Sequence, residues 1–305
     1  MQAVNHTMAA AVEEVAVLYA KNAKGDNDKC SKIRERVFNQ ALSVPESFLE
    51  HPEHGAQWEY LQREMKTLAD TLADGDYASV SIKPMGGRNY NYDAIFKYVD
   101  SSMAPIGEVK VEYKCGATTI QKLPQILSLQ AKFPIFSTTY DQWYYRNWLD
   151  KYLGTDPGIT EPKPTMEDYL ALVTNTAYDV SPFFQQIKDR EDVQKKNKAA
   201  IVNDSIREYL KLYGSSLNLE MIAEKIRDTQ LNKKFVLWHE GNFHVDSLTP
   251  DDLRIHRIGS IRNGNVVELF SNTARYDMLL RWRNHKGVLN PAWQISCKRL
   301  QRAVL

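Results

Sequence analysis

Acidic and basic side chains alternate in one short stretch of the sequence that also carries apolar runs. An aspartate within an apolar run is followed by two Glu-x-Lys pairs: Asp93, Glu108-Val109-Lys110 and Glu112-Tyr113-Lys114. Residues two apart on a strand share a face, so Glu112 and Lys114 would lie about 7 Å apart at their Cα atoms. Asp93 on a paired strand would come within reach of a metal ion bound by Glu112. Two carboxylates offer the hard oxygen ligands that suit Mg²⁺ beside a phosphate.

The doubled Glu-x-Lys pattern requires a choice, because its four charged residues share one strand face. We favour Glu112 and Lys114, since Cys115-Gly116 ends the strand just after them and active-site clefts open at strand ends. Glu108 and Lys110 would then be flanking charges or phosphate contacts. A lysine beside two carboxylates is expected to stay protonated, which favours an electrostatic role for Lys114 over a general base.

The elements that must position these residues can be predicted from periodicity. Apolar spacing of three and four predicts helices over about 6–23, 26–42 and 57–73. Alternation predicts strands at 77–82, 89–99 and 106–114. A helix over 118–133, capped by Thr118 or Thr119, and a short strand at Phe133–Phe136 would complete this part. Pro124 would disturb the middle of that helix or set its first turn.

The remainder of the chain is predicted to be helical and then rich in strands. Helices are expected at 140–153, 165–175, 183–213 (broken near Arg190) and 218–228, with a linker at 157–164. Hairpins are expected at Gly241-Asn242 and at Arg262–Asn265, and strands near 276–283 and 291–298. We therefore expect an α/β (α+β) protein. Its parts would be an N-terminal region of helices and strands at 1–155, a helical insertion at 156–230 and a β-rich region at 231–305. Alternatively, all three would form one continuous domain.

Asp93 and Glu112-Tyr113-Lys114, in an order of helix, strands and helix, resemble the PD-(D/E)XK nuclease superfamily over about residues 57–137. The resemblance implies a restriction-endonuclease-like core with a central mixed sheet flanked by helices. It also implies Asp93 and Glu112 as metal ligands and Lys114 as the catalytic lysine. Tyr92 stands where the signature has proline.

The same resemblance suggests further site residues. Gln125, in the helix expected after the third strand, matches a glutamine that many members place near the site. Some members use an additional acid, for which this chain offers three candidates on earlier helices: Glu35, Glu59 and Glu64.

Residues suited to nucleic-acid binding lie at the C-terminal end and just before Asp93. No acidic residue follows Asp277, whereas six basic residues do: Arg281, Arg283, Lys286, Lys298, Arg299 and Arg302. Tyr276, Trp282 and Trp293 are interleaved with them, which suits phosphate tracking and base stacking. The alternative is a basic strand face whose tryptophans pack inside. Gly86-Gly87-Arg88-Asn89 would let the backbone approach DNA, with Arg88 on a phosphate, or would form an ordinary hairpin turn.

Composition limits the remaining classes. The 305 residues carry a formal net charge of only +1, so a nucleic acid would have to be met by a local basic patch. The 3 cysteines match no metal spacing and fit a reducing compartment. No apolar run approaches membrane-spanning length, and two glutamates interrupt the N-terminal apolar patch. We therefore expect a cytoplasmic or nuclear protein without a membrane partner.

These features favour a Mg²⁺-dependent DNA endonuclease, in which Mn²⁺ would substitute. A restriction-type enzyme is the first choice, and a repair, viral or mobile-element nuclease follows. The alternatives are a nucleic-acid-binding protein without catalysis on the same fold and, more distantly, a protein-interaction module. A homodimer would be expected of an enzyme that cuts both strands, although no residue pattern indicates one.

Overall fold

A computed structural model of the chain describes residues 11–20, 27–85, 90–174, 179–284 and 289–300. The class is mixed α+β, as predicted, with two sheets and helices. The chain divides into two compact units, one of residues 1–122 and 230–248 and the other of residues 123–229 and 249–305. The expected parts 1–155, 156–230 and 231–305 stay a prediction; in this division residues 230–248 group with the N-terminal part and residues 123–155 with the second unit.

The elements are numbered along the chain. The α-helices are α1 (Asn27–Gln40), α2 (Glu46–Leu49), α3 (Gly55–Leu72), α4 (Tyr140–Asn147), α5 (Leu149–Leu153), α6 (Met166–Leu172), α7 (Pro182–Asp189), α8 (Lys195–Tyr213), α9 (Leu219–Gln230) and α10 (Pro250–Leu253). The strands are β1 (Ser79–Pro84), β2 (Ala94–Val99), β3 (Pro105–Cys115), β4 (Leu127–Gln130), β5 (Lys233–His239), β6 (Asn242–Asp246), β7 (Arg257–Arg262), β8 (Val266–Phe270), β9 (Ala274–Asn284) and β10 (Leu289–Arg299). Short 3-10 helices lie at Glu14–Leu18, Ile120–Lys122 and Gly214–Ser216.

The first unit is built on a five-stranded sheet in the order β1-β2-β3-β5-β6. Strands β3 and β5 are parallel, whereas the other neighbours are antiparallel. The three predicted strands and the hairpin at Gly241-Asn242 are confirmed. Gly241 has a φ of +87°, a conformation that its lack of a Cβ permits in the tight turn.

The core of the first unit lies between this sheet and helices α1 and α3. Helix α3 buries one face through the predicted spacing: Trp58, Leu61, Met65, Leu68 and Leu72. Alternate residues of β2 and β3 meet them, among them Phe96 and Tyr113. Each such side chain contributes about 1.5–3 kcal/mol through removal from water. Because the apolar residues of β3 occupy this face, the charged residues at 112 and 114 have the opposite parity.

The predicted helix over 118–133 and strand at Phe133–Phe136 are wrong. Only Ile120–Lys122 is helical, as one 3-10 turn, and the strand is β4. Pro124 cannot donate a helical hydrogen bond. The Ile126 N–H instead donates to the Ile295 carbonyl at 2.8 Å, and Leu129 pairs with Trp293 on β10. The alternation of Leu and Ser in β4 is the local signal that agrees with the strand.

The second unit combines α4–α10 with an antiparallel sheet in the order β4-β10-β9-β8-β7. The break near Arg190, the hairpin at Arg262–Asn265 and the last two predicted strands are confirmed. The expected helix at 140–153 is two helices that meet at Trp148. Aromatic side chains fill the core, and five of the fully buried ones are Tyr140, Tyr144, Tyr169, Tyr209 and Trp293. Among the described helices, none has both the length and the apolar character needed to cross a membrane.

Candidate active site

Asp93 lies directly before β2, opposite Glu112 on β3. The register pairs Ala94 with Val111, which brings the preceding residue, Asp93, opposite Glu112. The Asp93 N–H donates to the Val111 carbonyl at 2.8 Å, and Asp93 Oδ2 accepts from the Tyr113 N–H at 2.8 Å. Residues opposite each other on paired strands have Cβ atoms about 4.5–5.5 Å apart. Glu108 is opposite Lys97 instead, so the register brings Glu112 rather than Glu108 to Asp93.

Two lysines contact the carboxylate of Glu112. Lys114 Nζ lies 2.5 Å from Glu112 Oε1. Lys233, the first residue of β5, donates to Glu112 Oε2 and, at 2.8 Å, to the carbonyl of Asn91. The Lys233 side chain is only 3% exposed, against 30% for Lys114. Both lysines therefore neutralise Glu112, and Lys233 does so from the interior.

The sequence pattern does not indicate Lys233. Parallel pairing of β3 with β5 sets Lys110 opposite Lys233 and Glu112 opposite Phe235, so the Lys233 ammonium group reaches Glu112 diagonally. The sequence around Lys233 predicts only that a strand begins there after a helix. Only the choice of β5 as the neighbour of β3 makes this lysine part of the site.

Burial raises the pKa of the site's acid and opposes the protonated form of its lysines, and the neighbouring charges add to or offset this effect. Burial raises the pKa of the Asp93 carboxyl, and the charge of Glu112 raises it further. Burial alone would lower the pKa of Lys114, but the carboxylates of Glu112 and Asp93 outweigh it and the pKa is raised. For Lys233 burial prevails, and its pKa is lowered despite the contact with Glu112. Lys114 is thus held firmly as a cation, as expected from the sequence.

Glu35 on α1, one of the three candidate additional acids, interacts with the charges of this site. Burial and then the charge of Asp93 raise the pKa of Glu35 to about 7. Lys114 and Glu112 also act on it. Glu59 is exposed on α3, and Glu64 on the same helix contributes to the raised pKa of Tyr19. Glu35 therefore belongs electrostatically to the site.

The remaining predicted site residues have different outcomes. Gln125 is not in a helix: it lies in the second unit just before β4, and its Oε1 is buried without a hydrogen-bond partner. Its catalytic role stays a prediction. Arg88 and the Gly86–Asn89 turn lie outside the described residues, as do Lys286 and Arg302. Nothing is described of the Arg283 side chain, although its backbone lies in β9.

The aromatic residues interleaved with the C-terminal basic residues are not a stacking surface. Tyr276 and Trp293 are fully buried, and the Trp282 Nε1–H donates to the Tyr140 hydroxyl at 3.3 Å. They pack inside, which is the alternative weighed from the sequence. Arg281 is exposed and contacts Gln294, whereas Arg299 lies 3.9 Å from Asp252 and Lys298 is half-buried.

The carboxylates before β2 and on β3 are the candidate ligands for the expected Mg²⁺. Asp93 and Glu112 supply carboxylate oxygens, and Mg²⁺ typically takes one or two of these and completes its shell with water and phosphate. Within the described ranges, no three Asp, Glu, His or Cys side chains form a group that could hold an ion. Two carboxylates on opposing strands, with the charge of Glu112 raising the pKa of Asp93, nevertheless fit a divalent cation, provided that Glu112 exchanges a lysine contact for the ion.

Comparison of the amino-acid sequence with protein-family models gave no match, and comparison with curated proteins gave none either. The function must therefore be argued from the geometry and charges of the site.

Proposed function

We propose that this protein is a Mg²⁺-dependent deoxyribonuclease that hydrolyses phosphodiester bonds of DNA within the chain, as a restriction-type or related endonuclease. The observation that carries the proposal is the register that brings Asp93 opposite Glu112 while Lys114 contacts Glu112. One strand end thereby combines two oxygen ligands with a cation, which is the set that phosphoryl transfer requires.

The sheet topology supports the same proposal. Helix α3 precedes three antiparallel strands, and the parallel strand β5 follows helix α9 and pairs with β3. This order of elements, with the site on β2 and β3, is expected of a restriction-endonuclease-like core. The strand that follows β3 in that core would be β5, after a long insertion, rather than the segment predicted at 133–136.

Each residue has a distinct part in the proposed reaction. Asp93 and Glu112 would hold Mg²⁺, which when bound polarises the phosphate and lowers the pKa of a coordinated water. Lys114 faces the phosphate with a fixed positive charge and stabilises the negative charge that develops during displacement. Lys233 fixes the orientation of the Glu112 carboxylate, because its ammonium group is anchored to the Asn91 carbonyl.

Cleavage of plasmid DNA tests the proposal. The wild type should nick or linearise plasmid with Mg²⁺ or Mn²⁺ and not with EDTA, and Lys114→Ala should lower the rate by at least about a hundredfold. Lys97→Ala on β2 is the matched control, because Lys97 is exposed and pairs with Glu108 away from the site. Equal cleavage by wild type and Lys114→Ala would contradict the assigned role.

A nucleic-acid-binding protein without catalysis is the second candidate. The observation that favours it is the double neutralisation of Glu112 by Lys114 and Lys233, which leaves this carboxylate with a cation at each oxygen. Such a protein would bind DNA with a strong dependence on salt and no dependence on Mg²⁺. Filter binding in Mg²⁺ and in EDTA, alongside the plasmid assay, separates the two candidates.

A further inference from the structure

A cavity of about 810 Å³ lies at the ends of β3 and β5 in the first unit. Its walls come from Cys115 and Gly116 at the end of β3, Trp238 and His239 at the end of β5, and the first residues of α3. The volume falls within the range of about 300–1,000 Å³ that is typical of small-molecule sites. Ligands of α/β proteins commonly bind beyond the carboxyl ends of parallel strands, which is where this cavity opens.

Three aromatic side chains line the cavity. The rings of Tyr19 and Trp238 have centroids 6.1 Å apart and are nearly perpendicular, at 81°. The Trp238 Nε1–H donates to the Leu18 carbonyl at 3.3 Å, which fixes the indole. Tyr60 lies over the Gly241 turn, where a Cβ would stand 3.8 Å from its hydroxyl. Flat apolar walls of this kind suit a flat aromatic ligand.

The cavity also contains a fixed positive charge. Arg34 is 8% exposed and donates through Nε and Nη2 to the Val17 carbonyl, at 3.4 and 3.3 Å. The acid in the lining is Glu240, in the turn between β5 and β6. Gln57 and His239 add polar groups that can form hydrogen bonds with the edge of a ligand. The lining therefore combines π faces, a guanidinium group and hydrogen-bonding groups.

The cavity and the carboxylate site are adjacent along two elements. On β3, Lys114 contacts Glu112 and the next residue, Cys115, lines the cavity. On α1, Arg34 lines the cavity and the next residue, Glu35, interacts electrostatically with Asp93 and Lys114. Lys114 and Cys115 point to opposite faces of the sheet, so the two sites meet around the end of β3 at Gly116, where the charges of Arg34 and Lys114 both act on the Cys115 thiol. A ligand with a phosphate at the carboxylates and a flat ring in the cavity would pass around this strand end.

We infer that this cavity binds one unpaired nucleobase of the DNA strand whose phosphate lies at Asp93, Glu112 and Lys114. The inference rests on the proposed nuclease function and adds to it the form of the substrate. Stacking on the aromatic walls would repay part of the free energy lost when a base leaves the duplex. Single-stranded, frayed or mismatched DNA would enter at lower cost and should be cut faster than a fully paired duplex.

Saturation-transfer NMR with dAMP tests the base site in the full-length protein without requiring cleavage. Ala56→Phe, at an exposed cavity position on α3, should fill the cavity, and Tyr60→Leu should remove one stacking face. Both should weaken dAMP binding about tenfold, whereas Thr67→Phe, exposed on the same helix outside the lining, should not. 2-Deoxyribose 5-phosphate, which lacks the base, should bind at least about tenfold more weakly than dAMP.

The outcomes distinguish the cavity from the reaction. Equal dAMP affinity of Tyr60→Leu, Ala56→Phe and wild type would overturn the inference, and so would equal affinity for dAMP and the abasic sugar phosphate. Loss of dAMP binding in both cavity variants, with unchanged melting temperatures, would support the inference. Plasmid cleavage by wild type without dAMP binding would overturn the base site and leave the nuclease standing. Binding of dAMP without any cleavage would support the base site and remove the reaction.

Discussion

Glu112→Gln should destabilise the protein more than Lys233→Met, although both substitutions break the same ion pair. Glu112→Gln leaves the Lys233 ammonium group, with a side chain only 3% exposed, without a carboxylate. Lys233→Met instead leaves Glu112 in contact with Lys114 and places a methyl group near the Phe235 ring, whose centroid lies 5.2 Å from Lys233 Nζ. The two substitutions therefore leave different charges behind.

The magnitudes follow from burial. Removing one partner of a buried pair costs about 3–5 kcal/mol, whereas replacing both partners by apolar groups is often nearly neutral. Because Glu112 is partly exposed and a glutamine can still accept one hydrogen bond, we expect about 3 kcal/mol for Glu112→Gln. We expect the free energy of unfolding to fall by about 1 kcal/mol in Lys233→Met and by about 1–2 kcal/mol in the double variant. The coupling free energy between the two residues is then about 2–3 kcal/mol.

Urea unfolding followed by tryptophan fluorescence measures these free energies. The loss caused by Glu112→Gln should shrink as pH rises toward 10.5, the ordinary pKa of lysine. The reason is that burial lowers the pKa of Lys233 and the charge of Glu112 raises it, so Glu112→Gln lowers this pKa further. The unfolded variant then binds more protons than the folded variant over a wider pH range, and its stability rises more steeply with pH than that of the wild type. Strict additivity of the two substitutions, or a larger loss for Lys233→Met, would refute this account of the pair.

Two further substitutions test other charged groups. Glu35→Gln should stabilise the protein by about 1 kcal/mol at pH 8 and leave its stability unchanged below pH 4.5. The reason is that the pKa of Glu35 is raised from 4.5 to about 7, so folding disfavours its ionised form. The expected gain is small because the Glu35 side chain is half-exposed and water screens its charge. Urea unfolding at both pH values measures this, and a stabilisation at pH 4 would contradict it. Asp156→Asn should cost about 3 kcal/mol near pH 7, because Asp156 is buried against Arg190 and Lys198. Arg190 lowers the pKa of Asp156 from 3.8 to about 2, so this difference should disappear as pH falls from about 4 to 2, and persistence at pH 2 would exclude the ion pair as its source.

Local periodicity was sufficient for the elements whose partners are near in sequence. Helix α3 shows its buried face in the spacing from Trp58 to Leu72, and the hairpins show their turns in Gly241-Asn242 and Asn263-Gly264. Asp93 and Glu112 could be predicted to face each other because β2 and β3 are consecutive and antiparallel. In each case the information lies within about twenty residues.

Contacts between distant segments could not be predicted in this way. The segment at 127–130 forms a strand because Leu129 pairs with Trp293, and the local sequence around Pro124 does not indicate this partner. Lys233 lies 121 residues from Glu112, on a strand whose start looks ordinary. The favourable contacts that decide both cases belong to the tertiary fold, which outweighs local preference.

The charge balance of the site explains how two lysines on Glu112 agree with the proposed metal-dependent reaction. Asp93 and Glu112 carry two negative charges that Lys114 and Lys233 offset, and Glu35, with a pKa of about 7, is only part-ionised near neutral pH. Without a metal the site is therefore close to neutral and attracts a phosphodiester weakly. One Mg²⁺ would add two positive charges and favour both phosphate binding and the charge that develops during its displacement. If the lysines alone bound phosphate, EDTA would leave DNA affinity unchanged, so the metal dependence of binding decides whether these lysines support catalysis or replace the ion.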